Sequence, residues 1–526
     1  MREAEFNRRT GDPKRIRGKR GSLTKIDRAL MKILFAASEM TPYAKTGGLG
    51  DVVGALSSAL RERGHEVTCC LPYYRSVAET APEAKRIGLT LSIPLGSRAV
   101  TGDVLGWTQP DGVRVLFIRR DEFFDRSELY STGVRDYEDN AERYLFFSKA
   151  VVELMGYPRF RPDVVHCHDW QTAFVPVQAS YRARTHSTGS GQARGAEFAV
   201  KTVLTIHNIA YQGMFWSLDF PLTNLPGGFF TPDTLEFYGQ MNLLKGGIVF
   251  ADRITTVSPT YAEETQTTEG GFGLDTVIAT RGANLQGIIN GVDYSRWNPE
   301  TDPHLRQPYG PEDLSGKRAC RADLLKKLRL DGFDKLTAGA GATRPVAGFV
   351  SRLTAQKGVE ILAGALEELV EEAGLTFAIL GKGERQYEEM LTAAAKRYPR
   401  QVAVRIAHDE ELAHQIQGGA DMLLIPSHYE PCGLTQLYAL KYGTIPVVRA
   451  TGGLDDTVKA YDPRTGRGTG FKFAPYTSAA LVEAVQQAIL LHKQPKKWQK
   501  LMSHAMACDF SWQASALEYE KLYAAL

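Results

Sequence analysis

Two neighbouring stretches decide the fold: Lys32-Ile33-Leu34-Phe35-Ala36-Ala37 and, eight residues later, Lys45-Thr46-Gly47-Gly48-Leu49-Gly50-Asp51. A short apolar run before a glycine-containing loop and an amphipathic segment predicts a buried strand that leads into a helix. We expect this helix over residues 51–63, because Gly64 is a usual helix stop. The apolar residues 67–71 predict the second strand. This order of elements is typical of a parallel α/β domain.

The same alternation of strands and helices continues in two series. Further strands of the first series are predicted at residues 113–118, 163–167, 201–206 and 253–257. After a polar, Gly- and Pro-containing zone at about 291–344, the pattern restarts with strands at 346–350, 375–380, 402–406, 421–425 and 445–448 and helical segments such as 359–372. Two doubly wound domains therefore fit better than one. Active sites in such sheets lie beyond the carboxyl ends of the strands, at topological switch points.

The composition is that of a soluble globular protein. The 526 residues include 63 Lys+Arg and 60 Asp+Glu (63 − 60 = +3), with 43% hydrophobic and 23% charged residues. These values exclude a disordered chain, a collagen-like chain and a small disulfide scaffold. At roughly 100–200 residues per domain, the length favours two large domains with a cleft between them.

The positive charge is concentrated in residues 1–30, which hold ten Lys/Arg and four Asp/Glu. We interpret residues 1–30 as a basic disordered extension; a nucleic-acid arm and a targeting peptide are the alternatives. The stretch lacks the apolar run of a secretory signal, and it has more acids and fewer serines than a transit peptide. Because the rest of the chain has a net charge of −3 (+3 − 6), we do not expect a nucleic-acid partner.

Membrane insertion and disulfide formation are both disfavoured. No run of 18 apolar residues exists, so no membrane span is predicted. The six cysteines form no CxxC pair and have no Cys/His spacing suited to zinc, which favours reduced thiols in a cytoplasm and no metal site. The acid-containing, serine-poor leader favours a bacterial cytoplasm over a plastid. They are Cys69, Cys70, Cys167, Cys320, Cys432 and Cys508.

Loops after the first strand of each series carry groups suited to a diphosphate. Lys45 precedes Gly47 and Gly48, where the backbone can approach a ligand and a following helix N-terminus attracts anions. In residues 351–358, Arg352 offers a planar fork and Lys357 a point charge to one phosphate. The alternatives are an ordinary turn and a solvated surface. Because the first loop is not GxGxxG, a dinucleotide dehydrogenase is disfavoured.

The next loops supply carboxylates and imidazoles. Glu430, in residues 426–436, can point into a cleft from a helix start, or it can merely cap the helix; Cys432 beside it can equally be small packing. His166-Cys167-His168-Asp169-Trp170 and residues 206–213 each follow a predicted strand. The His-x-His pair lacks a third ligand with zinc-like spacing, and the chain contains no Asp-x-Asp. A metal-free site that balances phosphate charge with lysine and arginine is the simpler interpretation.

Taken together, these motifs resemble those of the bacterial glycogen synthases and plant starch synthases, a family of retaining α-glucan synthases that use a sugar nucleotide. The resemblance covers Met31 to Leu526 and is carried by residues 32–40, 45–49, 168–170, 205–213, 256–261, 289–293, 351–358, 430–443 and 451–454. It implies the GT-B fold: an N-terminal Rossmann-like domain at 31–290, a C-terminal one at 291–508, and a helix at 509–526 that returns to the first domain.

The resemblance also implies the activity: retaining transfer of glucose from ADP-glucose to the non-reducing 4-hydroxyl of an α-1,4-glucan, without a cofactor. Lys45 looks like the family lysine that contacts the donor from the first domain, Arg352 and Lys357 look like the diphosphate clamp, and Glu430 resembles the carboxylate near the donor glucose. His207 would bond the glucose 6-hydroxyl or the reacting face. The other implied substrate-binding residues are Gly47, Gly48, Asp51, Asp169, Asn208, Asn290, Gly381, His408, Cys432, Gly433, Leu434 and Thr435.

One position departs from the family pattern, and three alternatives stay open. Family members often carry Tyr or Phe as a surface for adenine where this chain has His408, so the preference for ADP-glucose rests on the resemblance alone. Glu430 can act as a covalent nucleophile, or transfer can proceed on the front side within an ion-pair-like state. A related enzyme for another nucleotide sugar and a catalytically silent glucan-binding scaffold are the competing functions.

Overall fold

The structure of the chain is a computed structural model that describes residues 30–133, 135–186, 200–330 and 344–526. The predicted basic extension, apart from Leu30, lies outside the described residues.

The first sheet is built from strands between residues 32 and 287. The strands of this part of the chain are β1 Lys32–Ala36, β2 Glu66–Pro72, β3 Lys85–Leu95, β4 Arg98–Thr108, β5 Arg114–Arg119, β6 Val164–His168, β7 Lys201–Ile206, β8 Met214–Trp216, β9 Glu236–Phe237, β10 Gln240–Asn242, β11 Arg253–Thr256 and β12 Leu285–Gly287. Nine of them form one sheet in the order β12-β11-β7-β6-β1-β2-β5-β4-β3, and β8-β10-β9 form a separate small sheet.

The second sheet has six strands and only parallel pairs. They are β13 Val346–Val350, β14 Thr376–Gly381, β15 Val402–Ile406, β16 Met422–Ile425, β17 Ile445–Arg449 and β18 Phe471–Phe473. The order β15-β14-β13-β16-β17-β18 reverses between β13 and β16, and the order of the first sheet reverses between β1 and β6. These reversals are the switch points at which a doubly wound sheet binds its ligand.

Helices connect the strands and cover both sheets. In the first half of the chain they are α1 Gly48–Glu62, α2 Arg75–Thr80, α3 Asp121–Phe124, α4 Asn140–Met155, α5 Phe174–His186, α6 Leu243–Phe250, α7 Pro259–Glu264 and α8 Asp275–Ala279. In the second half they are α9 Ser315–Leu328, α10 Val359–Glu371, α11 Arg385–Arg397, α12 Glu410–Gly419, α13 Thr435–Lys441, α14 Gly452–Thr457, α15 Ser478–His492, α16 Pro495–Met506 and α17 Trp512–Ala524.

The predicted strands are confirmed to within a residue or two at each end, but the start of α1 is wrong. The helix begins at Gly48, three residues before the predicted start, and Asp51 lies in its first turn. The reason is that Gly47 is extended, with φ −155° and ψ −159°, so the helix begins inside the glycine run. The backbone N–H groups of the first helical turn therefore follow directly after the loop that carries Lys45.

The sequence analysis missed the antiparallel hairpin of β3 and β4. These strands alternate buried and exposed residues, since one face of the hairpin packs on the core, whereas the predictions looked for continuous apolar runs. Gly96 occupies the turn with φ +63°. The hairpin pairs with β5 and extends an otherwise parallel sheet.

Apolar residues form one core around the first sheet and separate clusters on the two faces of the second. Trp512, Ala516 and Tyr519 of α17 belong to the core of the first sheet, and Glu520 binds Arg63 at 2.7 and 2.6 Å. The carboxyl-terminal helix thus packs against α1. The domain boundaries at residues 290 and 508 remain predictions. Among the described residues, no helix combines the length and the apolar character that a bilayer span requires.

Candidate active site

A cleft of ≈ 1340 Å³ is lined by segments that follow strands of both sheets. Eight of the predicted site residues line it: Lys45, Gly48, Asp51, Arg352, Gly381, His408, Leu434 and Thr435. The other predicted residues lie outside this lining: Gly47, Asp169, His207, Asn208, Asn290, Lys357, Glu430, Cys432 and Gly433. The segments after the neighbouring strands β1 and β6, and after β13 and β16, contribute the charged groups described below.

The loop that carries Lys45 is held by a buried carboxylate. Glu39 accepts hydrogen bonds from the backbone N–H and hydroxyl of Thr46, both at 2.7 Å, from the Gly47 N–H at 3.3 Å and from the Tyr130 hydroxyl at 2.7 Å. The Lys45 ammonium lies 2.7 Å from Asp51. Sequence reasoning missed Glu39, although an acid directly after a buried strand is a usable signal.

We call the part of the molecule around the first sheet the first lobe and the part around the second sheet the second lobe. On the second lobe, the two predicted cations have different surroundings. Arg352 is exposed, and its guanidinium donates one long hydrogen bond of 3.4 Å to Gln356. Lys357 forms an ion pair with buried Glu430, with 2.6 Å between Nζ and Oε2. Ser427 donates to the same carboxylate oxygen at 2.9 Å. Glu430 is therefore an ion-paired carboxylate in the loop between β16 and α13 and not a helix cap.

His207 and Asp169 follow β7 and β6, which are neighbours in the first sheet. Asp169 accepts the His207 backbone N–H at 2.7 Å, and His207 Nε2 lies 3.0 Å from Nδ1 of His168. Burial raises the pKa of Asp169 to about 7 and lowers the pKa of His207 to about 3. At neutral pH His207 is uncharged, so the charge of this corner of the site depends on Asp169.

Contacts between the lobes bring the histidine and glutamate motifs together. The Asn208 side chain hydrogen-bonds the phenol of Tyr429, the residue before Glu430. Asn290 is buried with its Oδ1 lacking a hydrogen-bond partner in the described structure, and its backbone bonds the thiol of Cys432. Burial raises the pKa of Cys432 to about 12, so this thiol is protonated and its role is packing.

An aromatic stack in the cleft was missed from the sequence. Trp297 lies between His414, at 3.7 Å between ring centroids, and Tyr438, at 3.9 Å. Trp297 and Tyr438 line the cleft together with His408. Because Trp297 comes from an irregular segment, its stacking depends on contacts more than 100 residues away in sequence, and no local pattern indicates it.

A close backbone contact and a positive φ angle explain why two positions of the site are glycine. A Cβ at Gly381 would lie 2.2 Å from the Ser351 carbonyl, so glycine lets two neighbouring loops approach each other. Gly433 has φ +71°, in the left-handed region that favours glycine. Among the described residues, no group of three or more His, Cys, Asp or Glu side chains is arranged to hold a metal ion.

The fold and the cleft define a class. The chain has a TM-score of 0.80 and 32% sequence identity to the catalytic domain of starch synthase IV from Arabidopsis thaliana, solved with ADP and acarbose, over 94% of this chain and 99% of that one. A sucrose-phosphate synthase of Thermosynechococcus elongatus, 18% identical with a TM-score of 0.55, covers 94% of this chain and 100% of its own and shows the fold alone. Two doubly wound domains with a cleft make this chain a GT-B glycosyltransferase, as predicted.

Sequence comparisons narrow the class to a family. A family model for the starch synthase catalytic domain matches residues 32–280, and one for glycosyl transferases group 1 matches residues 336–502. Glycogen synthases of Koribacter versatilis and Opitutus terrae are 44% and 43% identical, over 94% of this chain and 98% and 99% of theirs. The chain belongs to the glycogen synthase and starch synthase family and is a glucosyltransferase.

Proposed function

We propose that this chain transfers glucose from ADP-glucose to the non-reducing 4-hydroxyl of an α-1,4-glucan with retention of configuration, and so elongates glycogen. The observation that carries the proposal is the position of the cations: Lys45, after a strand of the first sheet, and Arg352, after a strand of the second, line one cleft, and Lys357 lies in the same loop as Arg352. The similarity to a starch synthase solved with ADP supports the adenine nucleotide.

The chemistry of the reaction requires such cations. When the glycosidic bond to the nucleotide breaks, negative charge develops on the diphosphate oxygens, and preorganised positive groups lower the energy of that state. Lys45 and Lys357 are each paired with a carboxylate, Asp51 and Glu430, at 2.7 and 2.6 Å. We infer that the diphosphate competes with these carboxylates, so that the donor draws both lysines toward itself and the two lobes together. Closure would exclude water that would otherwise hydrolyse the donor.

Glu430 would stabilise the positive charge that develops on the sugar. Both of its hydrogen bonds described above reach Oε2, from Lys357 and Ser427. Once Lys357 has moved to the diphosphate, transfer can proceed on the front side or through a covalent glucosyl intermediate at Glu430. His207, neutral at pH 7, would accept a hydrogen bond from a sugar hydroxyl.

Glucose incorporation into glycogen tests this proposal. The purified chain should transfer labelled glucose from ADP-glucose, and more slowly from UDP- or GDP-glucose, with EDTA present throughout. The anomeric configuration of the new bond reports retention. Incorporation from UDP-glucose alone would assign another donor, and glycogen binding without incorporation would assign a silent scaffold. Loss of activity in EDTA would contradict the metal-free site.

The six free thiols support the proposed cytoplasmic location.

A further inference from the structure

An exposed aromatic surface lies on the small sheet β8-β10-β9 and the segments next to it. Among the described residues, ten large apolar side chains are exposed, and six of them fall within residues 211–272. Trp216 and Tyr238 are the most exposed aromatic ones, at 73% and 84%. Exposed apolar residues are normally scattered singly over a protein surface, so a cluster of them marks a recognition surface. We define the aromatic surface as Tyr211, Trp216, Phe237, Tyr238 and Phe272.

The register of the small sheet sets the direction of these rings. Trp216 pairs with Gln240 across β8 and β10, and Gln240 pairs with Phe237 across β10 and β9. Residues paired directly across strands point to the same face of a sheet. Trp216, Gln240 and Phe237 therefore form one row across three strands, and the Phe237 ring lies 4.7 Å from that of Tyr238. An amide lies between two aromatic rings in this row.

The aromatic surface continues into the reaction centre. The ring of Phe272 lies 5.3 Å from that of Tyr429, the residue before Glu430. Gly273, the next residue, contacts Phe237, whose ring is 3.2 Å from the position of a Cβ there. Contacts thus lead from the loop that carries Glu430, through Phe272, Gly273 and the row of the small sheet, to exposed Trp216.

Hydrogen bonds hold this surface in place. Gln212 donates to the Phe272 carbonyl at 2.9 Å and accepts from Asn242 at 2.7 Å. The buried Lys245 ammonium donates to the Glu236 carbonyl at 2.5 Å and to that of Pro232. A surface fixed in this way loses little conformational entropy on binding, which raises affinity.

We propose that the aromatic surface binds the acceptor chain, an inference that rests on the proposed function. The reacting end of a glucan must lie beside Glu430, so the remaining sugars must leave over an adjoining surface, and the aromatic surface adjoins Tyr429. A sugar ring presents C–H groups on its faces and hydroxyls on its rim. Trp and Tyr match it with an apolar ring and a polar tip, and Gln240 offers donors and an acceptor to the hydroxyls. A linear α-glucan that stacks on Phe237, Tyr238 and Trp216 is the occupant.

The experiment compares a long and a short acceptor. Glucose transfer to glycogen and to maltotriose is measured for the chain and for a Trp216→Ala/Tyr238→Ala variant. We expect the ratio of kcat/KM for glycogen to that for maltotriose to fall about tenfold, because maltotriose is too short to reach both rings. Trp216→Phe should recover most of the ratio. Leu490→Ala, which removes an exposed apolar side chain on α15, is the matched control and should leave the ratio unchanged.

A binding measurement separates this inference from the proposed function. In native gels that contain glycogen, the chain should be retarded, and the double variant should migrate faster. If the chain transfers no glucose but is retarded through these two rings, the proposed function fails and the surface stands. An unchanged kinetic ratio with unchanged retardation overturns the inference. Loss of a dimer in sedimentation of the double variant, with the ratio unchanged, also overturns it and assigns the surface to a second copy.

Discussion

At the scale of single residues, two of the three predicted cations of the site are already paired with carboxylates. Lys45 and Lys357 are paired with Asp51 and Glu430, whereas Arg352 is exposed and lines the cleft. A bound diphosphate would gain two cations only if both ion pairs loosen. Arg352 needs no such exchange, so its removal gives the cleanest test of phosphate stabilisation.

We expect Arg352→Ala to lower turnover about 10²–10³-fold, ~2.7–4 kcal/mol, as for the loss of one charge-stabilising donor. Because its one hydrogen bond is long and exposed, the free energy of unfolding should hardly change. Steady-state kinetics and chemical denaturation measure the two effects. Arg385→Ala, which removes an exposed guanidinium paired with Glu389, is the control. Wild-type turnover in Arg352→Ala would reject the clamp.

A second prediction at this scale concerns pH. The pKa of Asp169 is about 7 because of burial, so the carboxyl is protonated below that pH and ionised above it. If the ionised form orients His207, kcat/KM should rise as the pH passes through about 7, and Asp169→Asn should lack this step. The pKa of Asp169 is higher in the folded state than in the unfolded state. As the pH rises from about 4 to 7, the carboxyl ionises in the unfolded state but stays protonated in the folded state, so the free energy of unfolding of the wild type should fall relative to that of the variant. An identical pH profile in Asp169→Asn would assign the step to another group.

At the scale of elements, the backbone of the Glu430 loop is shaped by the start of α14. Gly453 donates its N–H to the Glu430 carbonyl at 3.1 Å, and a Cβ at Gly453 would lie 2.1 Å from the Cys432 carbonyl. Even one methyl group therefore has to displace the loop that carries the carboxylate.

We predict that Gly453→Ala lowers turnover at least tenfold and destabilises the fold by about 1–3 kcal/mol, the usual cost of overpacking. Thermal unfolding and glucose incorporation measure the two effects. Gly227→Ala is the matched control, because among the described residues no heavy atom beyond its chain neighbours lies within 4 Å of the position of its Cβ. Equal activity and stability of the two variants would show that the loop tolerates the displacement.

The elements also explain what the sequence could predict. Fully buried strands such as β1 and β13 appear as continuous apolar runs, and the loops after them contain the expected cations, so fold class and phosphate-binding candidates follow from local pattern. Contacts between residues that are distant in sequence do not follow from local pattern. The ion pair of Lys357 with Glu430 joins residues 73 apart, and the stack of Trp297 on His414 joins an irregular segment to α12. The half-exposed hairpin of β3 and β4 was missed for a different reason, because its alternating pattern is a local signal that a search for continuous apolar runs overlooks. The start of α1 was placed three residues late because the helix begins inside the glycine run.

At the scale of the whole molecule, α17 joins the end of the chain to the first lobe. Glu520 receives a bidentate pair from Arg63 and a hydrogen bond from His65, and all three side chains are largely buried. Loss of this carboxylate leaves the Arg63 guanidinium buried beside an apolar core.

We expect Glu520→Ala to lower the free energy of unfolding by about 3 kcal/mol, the lower end of the range for breaking a buried pair. Urea denaturation measures the loss. Glu518→Ala, on the same helix, removes an exposed carboxylate paired with Lys521 and should cost less than about 1 kcal/mol. Equal losses in the two variants would mean that the Arg63 pair contributes no more than a surface pair.

The central claim is that cations from both lobes hold the diphosphate of a departing nucleotide. A crystal structure with ADP, grown in EDTA, tests it most directly. We predict that the diphosphate lies within hydrogen-bond distance of Arg352, Lys357 and Lys45, with Lys45 released from Asp51. Phosphates bound elsewhere, with Lys45 still on Asp51 and the Arg352 guanidinium turned to solvent, would contradict the account.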